Sequence, residues 1–147
     1  MKLTGERIVP AEPAEIWSAL LDPETLKACI PGCDELERTG NNAYRAAMVS
    51  KVGPIKARFA GQVALDDSRL PDSCTLTGEG TGGVAGFVKG AAAIRVEPAE
   101  NGSRLIYDAE VEIGGKIASL GDRLFRGVVE RNITQLFDVF EKRLSAS

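Results

Sequence analysis

From Lys116 to Leu144 apolar residues recur mostly in steps of three and four: Ile117, Leu120, Leu124, Val128, Ile133, Leu136, Phe137, Phe140 and Leu144. Charged residues fill the gaps, among them Asp122, Arg123, Arg126, Glu130, Arg131, Asp138, Glu141, Lys142 and Arg143. That spacing places one broad apolar stripe on a helix. The stretch contains no proline, and its only glycines are Gly121 and Gly127. It predicts a single C-terminal helix about 40 Å long at 1.5 Å per residue. A helix of that length needs a partner for its apolar face.

Upstream the period changes to two. Ile55 to Leu65 sets Ile55, Ala57, Phe59, Gly61, Val63 and Leu65 against Lys56, Arg58 and Gln62. Arg104 to Ile113 sets Leu105, Tyr107, Ala109, Val111 and Ile113 against Asp108, Glu110 and Glu112. Ala43–Lys51, Ser73–Thr81 and Phe87–Val96 alternate in the same way, and Glu35–Thr39 is a shorter strand. Tyr44, Ala46 and Met48 share one face of Ala43–Lys51, with Arg45, Ala47 and Val49 on the other. Turn residues separate the strands: Gly40-Asn41-Asn42, Gly53-Pro54, Gly82-Gly83 and Asn101-Gly102. One-sided alternation is the mark of an antiparallel sheet with one wet face.

Lys2–Val9 reads as a first strand, although Leu3 and Ile8 fall on opposite parities and leave its facing open. Pro13 opens a short helix carrying Ile16, Trp17, Leu20 and Leu21. Asp22 caps a second, Glu24 to Ala28, which Pro31-Gly32 ends. The expected fold is α+β: a helix-grip domain over residues 1–147, with about seven antiparallel strands curled around the last helix and two short helices after the first strand.

Composition narrows the chemistry. The chain is 44% hydrophobic and 27% charged, with a net charge of −3 and no basic face, so nucleic acid is not an expected partner. It contains no histidine, the commonest general base and metal ligand. Cys29, Cys33 and Cys74 are too few for a disulfide scaffold, and reduced thiols in a cytoplasmic protein are expected. The N-terminus lacks a signal-peptide core, and no run nears the roughly eighteen apolar residues of a spanning helix.

The inward faces are rich in small residues: Ala46, Ala57, Gly61, Gly78, Gly80, Gly90, Ala92 and Ala109. Glycines let a sheet bend, and small side chains also leave space beneath the helix. Both readings stand at this point. On the second, Met48, Phe59, Val63, Leu76, Phe87, Tyr107, Leu120, Leu124 and Val128 line an apolar cavity, and replacing Gly90 or Ala92 by Leu is expected to fill it. Gly82, Gly83, Gly86, Gly114 and Gly115 then flank its entrance, with the glycine-rich hairpin as a lid.

Other motifs carry less. Cys29-Ile-Pro-Gly-Cys33 has no second pair to complete a zinc site and lacks redox-motif spacing, so Cys29 is expected to pack beneath the short helix. Gly78-Glu-Gly-Thr-Gly-Gly-Val-Ala-Gly precedes a strand, where a phosphate loop would open a helix. Asp108, Glu110 and Glu112 point to solvent, and Asn132 and Thr134 are helix-edge polar groups able to orient a ligand. No catalytic residue and no metal site is assigned.

CIPGC, KVGPIKARFAG, LTGEGTGG with GFVKGAA, and GGKIASLGDRL together resemble the CoxG family of carbon monoxide dehydrogenase proteins, within the START/Bet v 1-like (SRPBCC) superfamily, from Met1 to about Leu144. The resemblance implies a non-catalytic accessory protein of molybdenum-containing carbon monoxide dehydrogenase or a related oxidoreductase. It requires no cofactor. It implies a bound lipid or isoprenoid quinone and peripheral contact with the inner face of the cytoplasmic membrane, and a homodimer stays open. Some members reach the membrane through an extension after the helix; here Leu144 is followed by Ser-Ala-Ser, a departure that puts attachment through such a tail in doubt. Two alternatives remain: a cyclase- or hydrolase-like enzyme using cavity carboxylates or Tyr107, and a ligand-free assembly adaptor with a filled core.

Overall fold

The computed structural model describes residues 1–146. Seven strands run in chain order as β1 (Lys2–Val9), β2 (Cys33–Gly40), β3 (Ala43–Val52), β4 (Ile55–Asp66), β5 (Ser73–Thr81), β6 (Phe87–Ala99) and β7 (Gly102–Gly114). They form one antiparallel sheet in the order β1-β7-β6-β5-β4-β3-β2. Helices α1 (Pro13–Leu20) and α2 (Pro23–Cys29) join β1 to β2, and α3 (Lys116–Ser119) and α4 (Asp122–Ala146) follow β7. This is the expected helix-grip architecture.

Local chemistry fixes the two short helices. Pro13 and Pro23 occupy first-turn positions, where a missing N–H costs nothing. The Asp22 carboxylate accepts from the Glu24 amide (3.3 Å) and the Thr25 hydroxyl (2.9 Å), capping α2 as the sequence predicts. Trp17 is 6% exposed, and its Nε1 donates to the Pro71 carbonyl at 2.8 Å, tying α1 to the β4–β5 loop. The fully buried Ser103 hydroxyl donates to the Ala11 carbonyl at 2.7 Å.

The C-terminal helix differs from the sequence expectation. It is not continuous from Lys116: α3 ends at Ser119 with Leu120 as its cap, and Gly121 turns with φ +93° before α4 begins at Asp122. That conformation strains any residue with a Cβ. The break resets the helical phase. Phe125 (5% exposed), which the unbroken stripe left out, turns inward, and Leu124 (37% exposed) moves to the rim.

Strand β1 now has a direction. Leu3 (3%) and Val9 (0%) face the core and Ile8 (52%) faces solvent. Arg7 shares the inward parity but stands on an edge strand, from which it reaches α4. Its Nε donates to Glu141 at 2.9 Å and its Nη2 to Asp138 at 2.8 Å, with the guanidinium 5.8 Å from the Phe137 ring centroid. Sheet and helix are thereby pinned at one end.

Ala47 also departs from expectation. It lies on the outward parity yet is 2% exposed. A ladder of Arg45 on Glu35 and Glu37, and Arg58 on Asp34 and Glu35, crosses that face at the β2 edge. Charges on an edge strand also discourage pairing with another sheet.

Candidate ligand site between sheet and helix

Cross-strand register turns the sequence pattern into rows on the concave face. One row reads Ala46, Gly61, Gly80, Val88, Ile113; the next Tyr44, Val63, Gly78, Gly90, Val111; the next Leu65, Leu76, Ala92, Ala109, Leu3. Small residues, Gly61, Gly80, Gly78, Gly90 and Ala92, therefore gather near the middle of these rows.

The buried core divides about this region. One apolar cluster gathers Val9, Ala11, Ile16, Trp17, Cys29, Cys74, Val96, Leu105, Phe137 and Phe140, with Ile94, Tyr107, Ile133 and Leu136 packed against it. The other gathers Val52, Ile117, Phe125 and Val128, with Phe59, Val88, Val111 and Leu120 packed against it. Met48, Val63 and Leu76 face inward but are only partly buried, and they stand outside both clusters. A well-packed sheet beneath a helix would bury such residues.

The expected wall residues thus fall into three groups. Phe59, Leu120 and Val128 belong to the second cluster and Tyr107 to the margin of the first. Met48, Val63 and Leu76 form the half-open wall between them. Phe87 and Leu124 are not brought to this wall. Phe87 (42% exposed) sits on the outward parity with Lys89, its ring lying across Gly114, and Leu124 lies at the rim against the Gly53 turn. The reason for Phe87 is parity: Val88 is the inward residue, paired with Ile113. Residues outside the expected set, Phe125, Val88 and Ile113, close one end. Parity alone marks Val88 and Ile113; nothing local marks Phe125.

The glycines expected at the entrance lie together. A 3-10 turn, Gly83–Ala85, follows Gly82, and the backbone at Gly86 (φ +118°) packs directly on Gly114 and Gly115 (φ +79°). No side chain fits between these two segments. Gly82 rests on the Phe59 ring.

Polar groups near the wall are few. Tyr107 crosses over Gly5 of β1, where a Cβ would collide with the phenol. Burial pushes its hydroxyl pKa up, and the charge of Glu130 on α4 adds to this, so the phenol stays protonated at neutral pH. Thr134 donates to the Glu130 carbonyl of its own helix at 3.1 Å, and Asn132 is half-buried. Cys29 and Cys74 are 2% exposed; desolvation raises all three thiol pKa values, and Cys33, half-exposed, donates to the Glu35 carbonyl at 3.4 Å. Among the described residues no three of Cys, Asp or Glu converge as metal ligands. A separate depression of about 840 Å³ lies mostly on the opposite face of the sheet, lined by Gln62, Thr77, Glu79, Lys89, Glu110 and Glu112. Its lining mixes these polar groups with Met1, Ala64, Ala91, Val111 and Ile113.

The family of the carbon monoxide dehydrogenase G subunit (CoxG) matches residues 5–145. The chain belongs to the CoxG family. A conserved protein from Geobacillus kaustophilus is 30% identical, with a TM-score of 0.93, covering 100% of this chain and 97% of that one. The ZhuI aromatase/cyclase from Streptomyces sp. R1128 (15% identity, TM-score 0.67, 99% and 93% covered) and Ara h 8.0201 (18% identity, TM-score 0.65, 100% and 99% covered) share the fold. None of the curated proteins matches the sequence. The CoxG chain thus has the START/Bet v 1-like fold, and no helix among its described residues is long and apolar enough to cross a membrane.

Proposed function

We propose that this CoxG chain is a non-catalytic carrier serving molybdenum-containing carbon monoxide dehydrogenase or a related oxidoreductase, and that it holds a lipid or isoprenoid quinone between the sheet and α4. The observation that carries the reading is the divided core. Apolar clusters close both ends, and the wall of Met48, Val63, Leu76, Ala92 and Ala109 between them keeps accessible surface. Each CH₂ of an isoprenoid tail costs about 0.8 kcal/mol in water, so such a wall lowers the cost of moving the molecule between a membrane and an electron-transfer partner. The Tyr107 phenol, on the inward face of β7, and half-buried Asn132 on α4 are the polar groups we assign to orienting a head group.

Organic extraction of the purified protein followed by mass spectrometry tests the reading, with added quinones as competitors. A stoichiometric lipid or quinone that competitors displace supports it. A protein that extracts empty and binds no quinone leaves an assembly adaptor, to be pursued by capture of its dehydrogenase.

A further inference from the structure

The sheet ends in two edge strands, β1 and β2, and they differ in how they are guarded. Along β2 the register slips twice, between Cys33 and Glu35 and between Arg38 and Gly40. Its acids Asp34, Glu35 and Glu37 are tied to Arg45 and Arg58 of the same chain. Bulges and charged side chains keep an edge from pairing with another strand. Strand β1 has no bulge: it pairs with β7 without a slip from Lys2 to Val9. Arg7, the charge on its inward parity, is taken up by Asp138 and Glu141 of its own α4.

The ladder shows which backbone groups of β1 are left over. Met1 and Val111 exchange both of their hydrogen bonds, at 2.9 and 2.8 Å. Antiparallel pairing alternates, so Leu3, Gly5 and Arg7 also turn their backbone groups toward β7. Lys2, Thr4, Glu6 and Ile8 turn theirs away. Among the described residues, only the Lys2 carbonyl has a partner on that free side, Arg126 Nη1 at 2.7 Å. A carbonyl has a second lone pair for another donor. The side chains of Lys2, Thr4, Glu6 and Ile8 are all exposed on the outer face, Ile8 at 52%.

We propose that two copies of this chain pair edge to edge along β1, antiparallel about a two-fold axis at Thr4, so that their sheets join into one. Thr4 then faces Thr4 of the second copy, and Lys2 of each copy faces Glu6 of the other. Both are favourable cross-strand pairs, and the free backbone groups of Lys2, Thr4 and Glu6 gain partners. Charge selects this register. Centring on Lys2 or Glu6 sets like charges opposite each other, and centring on Leu3 or Gly5 leaves both charges unmatched. With Thr4 at the axis, Ile8 lies diagonal to Lys2 of the second copy and packs along its methylene stem. Such a contact uses the same patch twice and closes at two copies. It does not depend on the carrier reading, since the side chains it uses stand on the outer face.

Sedimentation velocity over a range of protein concentrations at low salt tests it. The parent protein is expected to pass from monomer to dimer as concentration rises, and to return toward monomer in high salt. Thr4→Pro removes an N–H from the free side and none from the β1–β7 ladder, and is expected to stay monomeric. Lys2→Glu and Glu6→Lys each turn two opposite-charge pairs into like-charge pairs, and each should weaken dimerisation by about tenfold. An equimolar mixture of these two variants is expected to dimerise like the parent, because the reversed sites then face each other with opposite signs. Amide hydrogen exchange at Thr4 and Glu6 should slow in the dimer. Far-UV circular dichroism checks folding, and the two charge reversals decide the matter should Thr4→Pro not fold. A parent protein that stays monomeric, or a dimer that neither reversal weakens, overturns the proposal. So does a monomeric parent from which Thr4→Pro loses a co-purifying oxidoreductase, which makes the edge a place where a strand of another protein adds.

Discussion

Ala92→Leu reports on the space beneath α4 by the sign of its effect. Ala92 lies on the inward face of β6, paired with Leu76 and Ala109, and is only partly buried. Leucine adds three carbons, and full burial of these is worth about 2.4 kcal/mol at about 0.8 kcal/mol per CH₂. The site keeps some exposure, so about half of that, about 1 kcal/mol, is expected in protein stripped of ligand. For a chain of this size such a gain raises Tm by about 3 °C. If side chains already fill the region, the same change overpacks it and costs about 1–3 kcal/mol, lowering Tm by a similar or larger amount. The choice of position matters. At Gly90 a Cβ would stand 2.9 Å from the Glu110 carbonyl, so Gly90→Leu would mix backbone strain with filling. Thermal melts followed by far-UV circular dichroism read the stability, and quinone binding is measured alongside. A higher Tm with loss of ligand binding is the expected result. A lower Tm together with undiminished binding would refute the argument.

Gly61→Ala is expected to destabilise strongly or prevent folding, because its Cβ would overlap the Glu79 carbonyl, whereas Gly78→Ala, with its nearest neighbour at 3.5 Å, is expected to be tolerated; chemical denaturation distinguishes them. Phe140→Ala removes a ring that is 1% exposed in the first cluster and should cost about 3–5 kcal/mol, read from urea midpoints. Arg58 holds the Asp34 carboxyl, and Arg45 the Glu35 carboxyl, below the usual carboxylate range. Their folded values are lowered, so the stability they add is complete above the ordinary carboxylate pKa and fades as pH falls through the lowered values. Tm against pH should therefore lose part of its acid slope in Arg58→Met. In the native protein Cys33 alone should react with a thiol reagent, and slowly near neutral pH because its thiol is raised, while Cys29 and Cys74 wait for unfolding.

Periodicity carried a large part of this structure because it is local. The alternation of Ile55–Leu65 and Arg104–Ile113 reappears as β4 and β7, and Pro13, Asp22 and Gly53-Pro54 act where they stand. Alternation also fixes which residues share a face. It separates Phe87 from Val88, and so places Phe87 away from the wall it is expected to line. The family was legible too, since CIPGC and KVGPIKARF are short motifs whose letters survive without a partner in view.

What the sequence alone left open depends on contacts distant along the chain. The helical stripe runs unbroken across Gly121, a residue that reads as tolerable inside a helix; only its φ of +93° shows that the phase restarts and that Phe125 faces inward. The facing of β1 was ambiguous because Leu3 and Ile8 compete, and the pairing of Leu3 with Ala109 on β7 decides it. Arg7 looks like any surface charge until α4 brings Asp138 and Glu141 to it across more than a hundred residues. The division of the core into two clusters is of the same kind. Small residues on one face allow either a tight bend or an open space, and which residues end up half-exposed is set by where the helix lies on the sheet. Local sequence determines the elements and their faces, because those depend on neighbours one to four residues away. The tertiary structure determines phase, anchoring and empty volume, because those depend on what the other elements bring.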